Sequence, residues 1–147
     1  MELRLFDISF HTNLVTLLQL LKQDDTVYFF DHYFAGEIPE SPLFHSHIDT
    51  SLAVCTGILV DRFLAGQYRL WAIVESFGDS LHSPAHGMAD TLKLSHEETE
   101  ELRELGELIN YNDYGETVGD LHYSPKALFM AVQPYSDTFD FFMQPEN

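Results

Sequence analysis

The stretch Val27-Tyr28-Phe29-Phe30-Asp31-His32-Tyr33, continuing through Phe34-Ala35-Gly36-Glu37-Ile38-Pro39, decides how the rest of the chain is read. A short apolar run, rich in aromatics and ending abruptly in Asp-His, reads as a buried strand with its polar residues at the C-terminal edge. In open α/β sheets that edge is where ligands bind. Leu3-Arg4-Leu5-Phe6-Asp7-Ile8-Ser9 reads as a second strand with an Asp at the same end. Between the two, Leu14, Leu17, Leu18 and Leu21 fall at helical spacing, with Thr12 or Asn13 available as the cap. Residues 3–31 therefore read strand–helix–strand. This length suits a right-handed parallel crossover and puts Asp7 and Asp31 on one sheet edge.

Working outward, residues 34–43 contain Gly36, Pro39 and Pro42 and read as a loop. Leu43–Ile48 reads as a short third strand. Asp49-Thr50-Ser51 then offers caps for a helix through Val54, Ile58, Leu59, Asp61, Phe63 and Leu64, ended by Gly66. Tyr68–Phe77 is apolar on nearly every side, which predicts a buried helix, with a strand as the alternative, and Asp79 closes it. Ser95-His96-Glu97-Glu98 is a capping box for a helix that buries Leu102, Leu105, Leu108 and Ile109 and breaks at Asn110–Gly115. Ser124-Pro125 opens another helix, and Pro134 ends it. The aromatic tail, Tyr135, Phe139, Phe141 and Phe142, needs a surface to cover it, on this domain or on a partner. The expected fold class is α/β: a parallel sheet flanked by helices, with a helical C-terminal part, in one domain over residues 1–147.

With 147 residues, 45% of them hydrophobic, the chain is long and apolar enough to build a core. Its formal charge is −17, and its seven lysines and arginines are scattered. A long nucleic acid needs clustered bases to displace its counterions, so the charge disfavours that class of partner. The same negative field attracts divalent cations. No apolar run approaches the roughly 20 residues of a membrane helix, and no basic, apolar leader opens the sequence. The single Cys55 rules out an internal disulfide and a cysteine zinc cluster, and reads as inert core. These features lead us to expect the cytoplasm.

Asp7, Asp79 and the pair Asp31-His32 form the candidate site. A carboxylate placed after a buried segment loses hydration unless it is paired or binds a metal. Mg²⁺ and Mn²⁺ favour carboxylate oxygens, and an imidazole shifts the preference toward Mn²⁺. The bland alternative is that Asp7 and Asp79 cap the helices after them. His45 and His47 alternate along a strand and can face one side, as ligands or as edge histidines. His82 and His86 stand at zinc-pair spacing, but Pro84 lies between them and the metalloprotease glutamate is absent.

Phe30-Asp31-His32-Tyr33 with Phe34-Ala35-Gly36-Glu37-Ile38-Pro39 resembles the Asp-His-His motif of the DHH phosphoesterase superfamily. Asp7 is similar to that family's lone strand Asp, and Phe77-Gly78-Asp79-Ser80 to its later Gly-Asp motif. The segments from His47 to Asp61 and from Leu105 to Asn112 are similar in character to the stretches between and after those motifs. The resemblance implies two-metal hydrolysis of phosphoester or phosphoanhydride bonds of small substrates, with Mn²⁺ or Mg²⁺ as cofactor. By it Asp7, His32 and Asp79 are metal ligands, and Asp31, His32 and Tyr33 are the catalytic motif, Asp31 orienting His32. Two departures stand out. The third motif residue is Tyr33, a neutral hydrogen-bonding group rather than an imidazole, and the family's Asp-x-Asp strand and substrate domain have no counterpart in this sequence. The expectation is an incomplete DHH-type domain, weakened or inactive alone. The alternative is a non-catalytic interaction module whose open sheet edge is covered by a homo-oligomer or a complementing N-terminal chain.

Overall fold

The computed structural model describes residues 1–33, 36–112, 114 and 117–143. Phe34 and Ala35 of the decisive stretch, and Asp113 and Gly115 of the expected helix break, lie outside them. The architecture is α/β, with a three-stranded parallel sheet followed by a helical half.

Strand β1 (Glu2–Phe6), helix α1 (Phe10–Lys22) and strand β2 (Thr26–Asp31) form the expected crossover, in parallel register with Phe6 opposite Phe30. The Asp7 N–H continues the ladder to the Phe30 carbonyl at 3.0 Å, so Asp7 and Asp31 stand side by side at the C-terminal edge. Strand β3 (Phe44–Ile48) adds to the other side of β2, also parallel. The sheet order is β1-β2-β3, which leaves the outer edge of β1 without a strand partner among the described residues.

β2 is buried on both faces, as its near-continuous apolar run requires. Val27 and Phe29 pack with Phe10 and Leu17 of α1 and Phe44 of β3. Phe30 faces the other way, with Val54, Cys55, Ile58 and Leu59. Helix α1 begins a turn earlier than Thr12 or Asn13 would set it. Its cap is Ser9, whose Oγ accepts the Thr12 N–H, because Phe10 is drawn into helix and core together against Phe29 and Phe44.

The next helix, α2 (Thr56–Phe63), begins later than Asp49-Thr50-Ser51 suggests. The Asp49 carboxylate is committed to a local turn, accepting the Ser51 N–H at 3.0 Å, and pairs with Arg62. Gly66 (φ +82°) ends the segment as expected, its N–H on the Asp61 carbonyl. Tyr68–Phe77 resolves as a helix, α3 (Arg69–Gly78), burying Ala72, Ile73, Val74, Ser76 and Phe77.

Helices α4 (His82–Leu92) and α5 (His96–Asn112) pack on α3 around Ile73, Val74, Phe77, Ala85, Ala89, Leu102 and Leu105. The Ser95–Glu98 capping box forms in both directions, at 2.7 and 3.2 Å. α5 continues through Asn112 rather than breaking at Asn110. Its buried face is Thr99, Leu102, Leu105 and Gly106, while Leu108 is 58% exposed. The reason is a glycine crossing. A Cβ on Gly106 would lie 2.2 Å from the Val74 carbonyl oxygen, and one on Gly78 would lie 3.0 Å from the Gly106 carbonyl oxygen. Backbone-to-backbone contact of this kind turns the contact face of α5 away from Leu108.

Helix α6 (Pro125–Val132) has Ser124 as its N-cap and Pro125 at its first position, and α7 (Thr138–Phe142) follows. The aromatic tail folds back on this chain. Trp71 Nε1 donates to the Tyr135 carbonyl at 2.9 Å, and Phe139 and Phe141 pack against the α3–α5 core. Among the described residues no helix is long and apolar enough to cross a membrane.

Candidate metal centre

The site is assembled where three segments converge: the ends of β1 and β2, the start of α2, and the C-terminal half of α3. Asp7 leaves β1 in the left-handed region (φ +51°), a conformation that Asp tolerates better than most residues. Neither it nor Asp79 caps the helix that follows. Ser9 caps α1, and α4 begins after Leu81 with no side-chain cap. The capping alternative for both acids is therefore set aside.

Asp7, Asp31 and His32 each place one ligand atom within 4.8 Å of the other two. His32 Nδ1 lies 3.5 Å from Asp7 Oδ1 and 3.2 Å from Thr56 Oγ1. The Thr56 hydroxyl in turn donates to Asp7 Oδ1 at 3.5 Å. His32 Nδ1, the Thr56 hydroxyl and Asp7 Oδ1 thus form one polar cluster. Asp31 is buried, and its Oδ1 accepts the Tyr33 N–H at 3.0 Å, which fixes the turn after β2. Thr56, rather than Asp31, is the hydrogen-bond partner of the His32 ring. Tyr33 is 64% exposed and lies against His32, ring centres 4.1 Å apart.

Asp79 joins this group. It lines the same cavity as Asp7, His32 and Tyr33. Its carboxyl is pushed up from the ordinary value, first by burial; nearby His32 pulls it down and Asp7 raises it further. A second group adjoins the first: Cys55, Glu75 and Asp79 also place ligand atoms within 4.8 Å of one another. Glu75 is exposed along its stem, but its carboxylate rests on the start of α2, accepting the Gly57 N–H at 2.7 Å. Burial of that carboxylate pushes Glu75 up, the Gly57 N–H pulls it partly back, and the charges on Asp79 and Asp7 raise it again. Burial likewise raises the Cys55 thiol, with Glu75 adding to the shift.

Four other histidines, His45, His47, His82 and His86, pack on aromatic rings. His45 stacks on Tyr28 and His47 on Phe30, at 4.7 and 4.6 Å between ring centres. Burial, then the neighbouring His45, lowers His47. His82 and His86 flank Phe77. None of the four belongs to a three-ligand group among the described residues.

The structure thus gathers Asp7, Asp31, His32 and Tyr33 at one sheet edge, with Asp79 at the end of α3 lining the same cavity as Asp7, His32 and Tyr33, and adds three residues that the sequence reading passed over as site residues. Thr56 carried a faint signal, as a polar residue just after Val54-Cys55. Glu75 carried a clearer one, being the lone acid inside Trp71–Phe77. Cys55, read as inert, is buried as expected, yet its sulfur faces two carboxylates.

This donor set fits a hard divalent cation. The charge of Asp7 adds to the rise in Asp79, and those of Asp79 and Asp7 add to the rise in Glu75, and a cation here would relieve that repulsion. Carboxylate oxygens with one imidazole nitrogen suit Mn²⁺ or Mg²⁺. No protein-family model, no curated protein and no solved structure matches this chain.

Proposed function

We propose that this chain carries a divalent-metal centre of the phosphoesterase kind, held by Asp7, His32 and Asp79, with Asp31 and Glu75 at its margins. The observation that carries the reading is the convergence of Asp7, Asp31 and His32 within 4.8 Å at the C-terminal edge of a parallel sheet. Asp79 closes the same cavity from α3. The order of these residues along the chain, and their resemblance to the DHH motifs, support hydrolysis of a phosphoester or phosphoanhydride bond in a small substrate. A bound Mn²⁺ or Mg²⁺ would supply charge neutralisation at phosphorus and a water of lowered pKa.

The chain's own residues do the rest. Thr56 contacts His32 Nδ1 and so holds the imidazole beside Asp7. Asp31 holds the turn that presents His32 and Tyr33. The Tyr33 hydroxyl, exposed at the cavity mouth, can donate to a phosphate oxygen but brings no positive charge. That arrangement binds a phosphate group more weakly than an imidazolium would, consistent with a slow or vestigial activity.

The test is a calorimetric Mn²⁺ titration of the native chain, of Asp7→Asn and of His47→Ala. On this reading the native chain and His47→Ala bind Mn²⁺ alike, Asp7→Asn binds at least tenfold more weakly, and only the metal-loaded native chain and His47→Ala cleave bis-p-nitrophenyl phosphate. Equal titrations for native and Asp7→Asn would remove the metal centre.

A second reading is that the chain is an interaction module. It rests on the open edge of β1 and on exposed apolar residues, Phe129 and Met130, on α6. Light scattering separates it: a dimer or larger species supports this reading, and a clean monomer at high concentration counts against it.

A further inference from the structure

An apolar groove of about 450 Å³ runs between α6 and the α3–α5 pair. That volume is within the range of small-ligand sites. Its walls are Trp71, Val74, Ile109, Leu128, Phe129 and Val132. Among the described residues the polar side chains on it are Asn110, Glu75 and Asp79, and the last two place ligand atoms within 4.8 Å of one another. Asp79 also lines the cavity that contains Asp7, His32 and Tyr33, so groove and metal centre meet at one residue.

α6 spans this groove without closing it. None of its residues is buried, and Phe129 and Met130 are 61% and 57% exposed. Both ends of the helix are nevertheless tied down. Asn112 exchanges two hydrogen bonds with the Tyr123 backbone, at 2.9 and 2.8 Å, and Trp71 Nε1 holds the Tyr135 carbonyl at 2.9 Å. A helix anchored at both ends over an unfilled apolar trough is held in place by its tethers rather than by packing of its own.

We infer that the groove holds the organic part of the substrate, and that this part is a hydrocarbon chain: the substrate class is a phosphate ester of an apolar alcohol. The inference rests on the metal reading above. No lysine or arginine lines the groove, so the phosphate has no counter-charge there and belongs at the metal end. A nucleobase needs several hydrogen-bonding partners along its edge, and away from the acids the groove offers the side chain of Asn110 alone. Hydrocarbon matches Val74, Ile109, Leu128 and Val132 and would complete the burial that α6 lacks. In hydrolysis of such an ester the water oxygen bonds to phosphorus. The bond from phosphorus to the ester oxygen breaks with its electron pair, and that oxygen takes a proton to leave as the alcohol.

Trp71 is the chain's single tryptophan and lies in the groove wall, so its emission reports occupancy directly. The experiment titrates the whole chain, in Mn²⁺ and in chelator, with inorganic phosphate, adenosine monophosphate and the n-alkyl phosphates from ethyl to decyl. The expected result is Mn²⁺-dependent binding that tightens roughly fourfold per methylene until the groove is filled. The Trp71 emission shifts to the blue over the same series. Val132→Phe, on a helix with no buried residue, narrows the groove and brings the plateau at a shorter chain, with an unchanged circular dichroism spectrum showing that the variant folds. A series that is flat in chain length, or adenosine monophosphate binding more tightly than decyl phosphate, overturns the inference while Mn²⁺-dependent phosphate binding leaves the metal reading standing. If inorganic phosphate shows no Mn²⁺-dependent binding, the metal reading fails and this inference falls with it.

Discussion

Gly106→Ala tests whether the glycine crossing sets the position of α3, and with it Glu75 and Asp79. The added methyl would lie 2.2 Å from the Val74 carbonyl oxygen, 2.9 Å from the Gly78 nitrogen and 3.2 Å from Phe77 Cβ. The two closest obstacles are backbone atoms, so no rotamer change relieves them. Reaching ordinary contact moves the helices apart by roughly 1 Å. That loosens Ile73, Val74 and Phe77 against Leu102 and Leu105, all in one buried cluster. Overpacking of this sort costs about 1–3 kcal/mol, and backbone obstacles place it at the upper end. Removing a mid-helix glycine returns about 1 kcal/mol of helix propensity. The net is about 2 kcal/mol of lost stability, a fall in Tm of roughly 4–8 °C for a chain of this size. Gly87→Ala is the internal control: a Cβ there meets nothing within 4 Å. It keeps only the propensity gain and raises Tm by roughly 2–4 °C. Thermal unfolding followed by circular dichroism reads both. If Gly106→Ala and Gly87→Ala shift Tm in the same direction, the close crossing does not exist in solution, and the placement of α3 over the sheet edge goes with it.

Two further outcomes follow from the charges. Glu75 and Asp79 hold their protons more tightly in the folded chain than in the unfolded one. The stability they contribute is therefore fully present below the ordinary carboxylate values and is lost as pH rises through their raised values. Urea unfolding of the metal-free chain at successive pH values from 4 to 7 should show that decline. Glu75→Gln should flatten it and saturating Mn²⁺ should abolish it; an unchanged slope in Glu75→Gln would refute the assignment. The lowered values of Asp49 and Glu98 act the other way beneath their ordinary values, and lowered His47 acts the other way within the range tested, so the decline is read as the difference between the native chain and Glu75→Gln. Separately, Asp61 is 4% exposed and pairs through Oδ2 with Arg69 Nε and Nη2, both at 3.1 Å, while its Oδ1 has no protein partner. Arg69→Met strands that carboxylate and should cost about 3 kcal/mol in urea unfolding, with most of it recovered in the double variant Asp61→Leu/Arg69→Met. A double variant no better than the single one would mean that packing, not charge, holds the pair.

What the sequence made legible is what local chemistry decides. The β1–α1–β2 crossover follows from two apolar runs and a leucine stripe, and once the strands are parallel Asp7 and Asp31 have to share an edge. The capping box at Ser95 and the Ser124-Pro125 start are side-chain-to-backbone contacts within four residues, so they read directly. The errors lie where a distant contact overrules a local preference. Ser9 caps α1 because Phe10 is claimed by Phe29 and Phe44, residues on two other strands. Asp49 cannot cap α2 because Ser51 and Arg62 already hold its carboxylate. Leu108 looks like core on a helical wheel and is exposed because Gly106 and Gly78 let two backbones touch.

The same distinction applies to the site. Asp7, His32 and Asp79 could be picked out because each ends an apolar run, where an unexplained acid or imidazole stands out. Glu75 gave a local sign as the lone acid inside Trp71–Phe77, but its contact did not show, since Gly57 is brought to it by α2 across the fold. Gly57 has to be glycine for that contact: a Cβ there would fall 2.1 Å from Glu75 Oε2. Thr56 was hidden for a related reason, because its hydroxyl gains a role only when α2 starts at residue 56 and not five residues earlier. The late start of α2 is thus tied to the site. It places Thr56 against His32 and Asp7 and opens the helix's first N–H groups to Glu75.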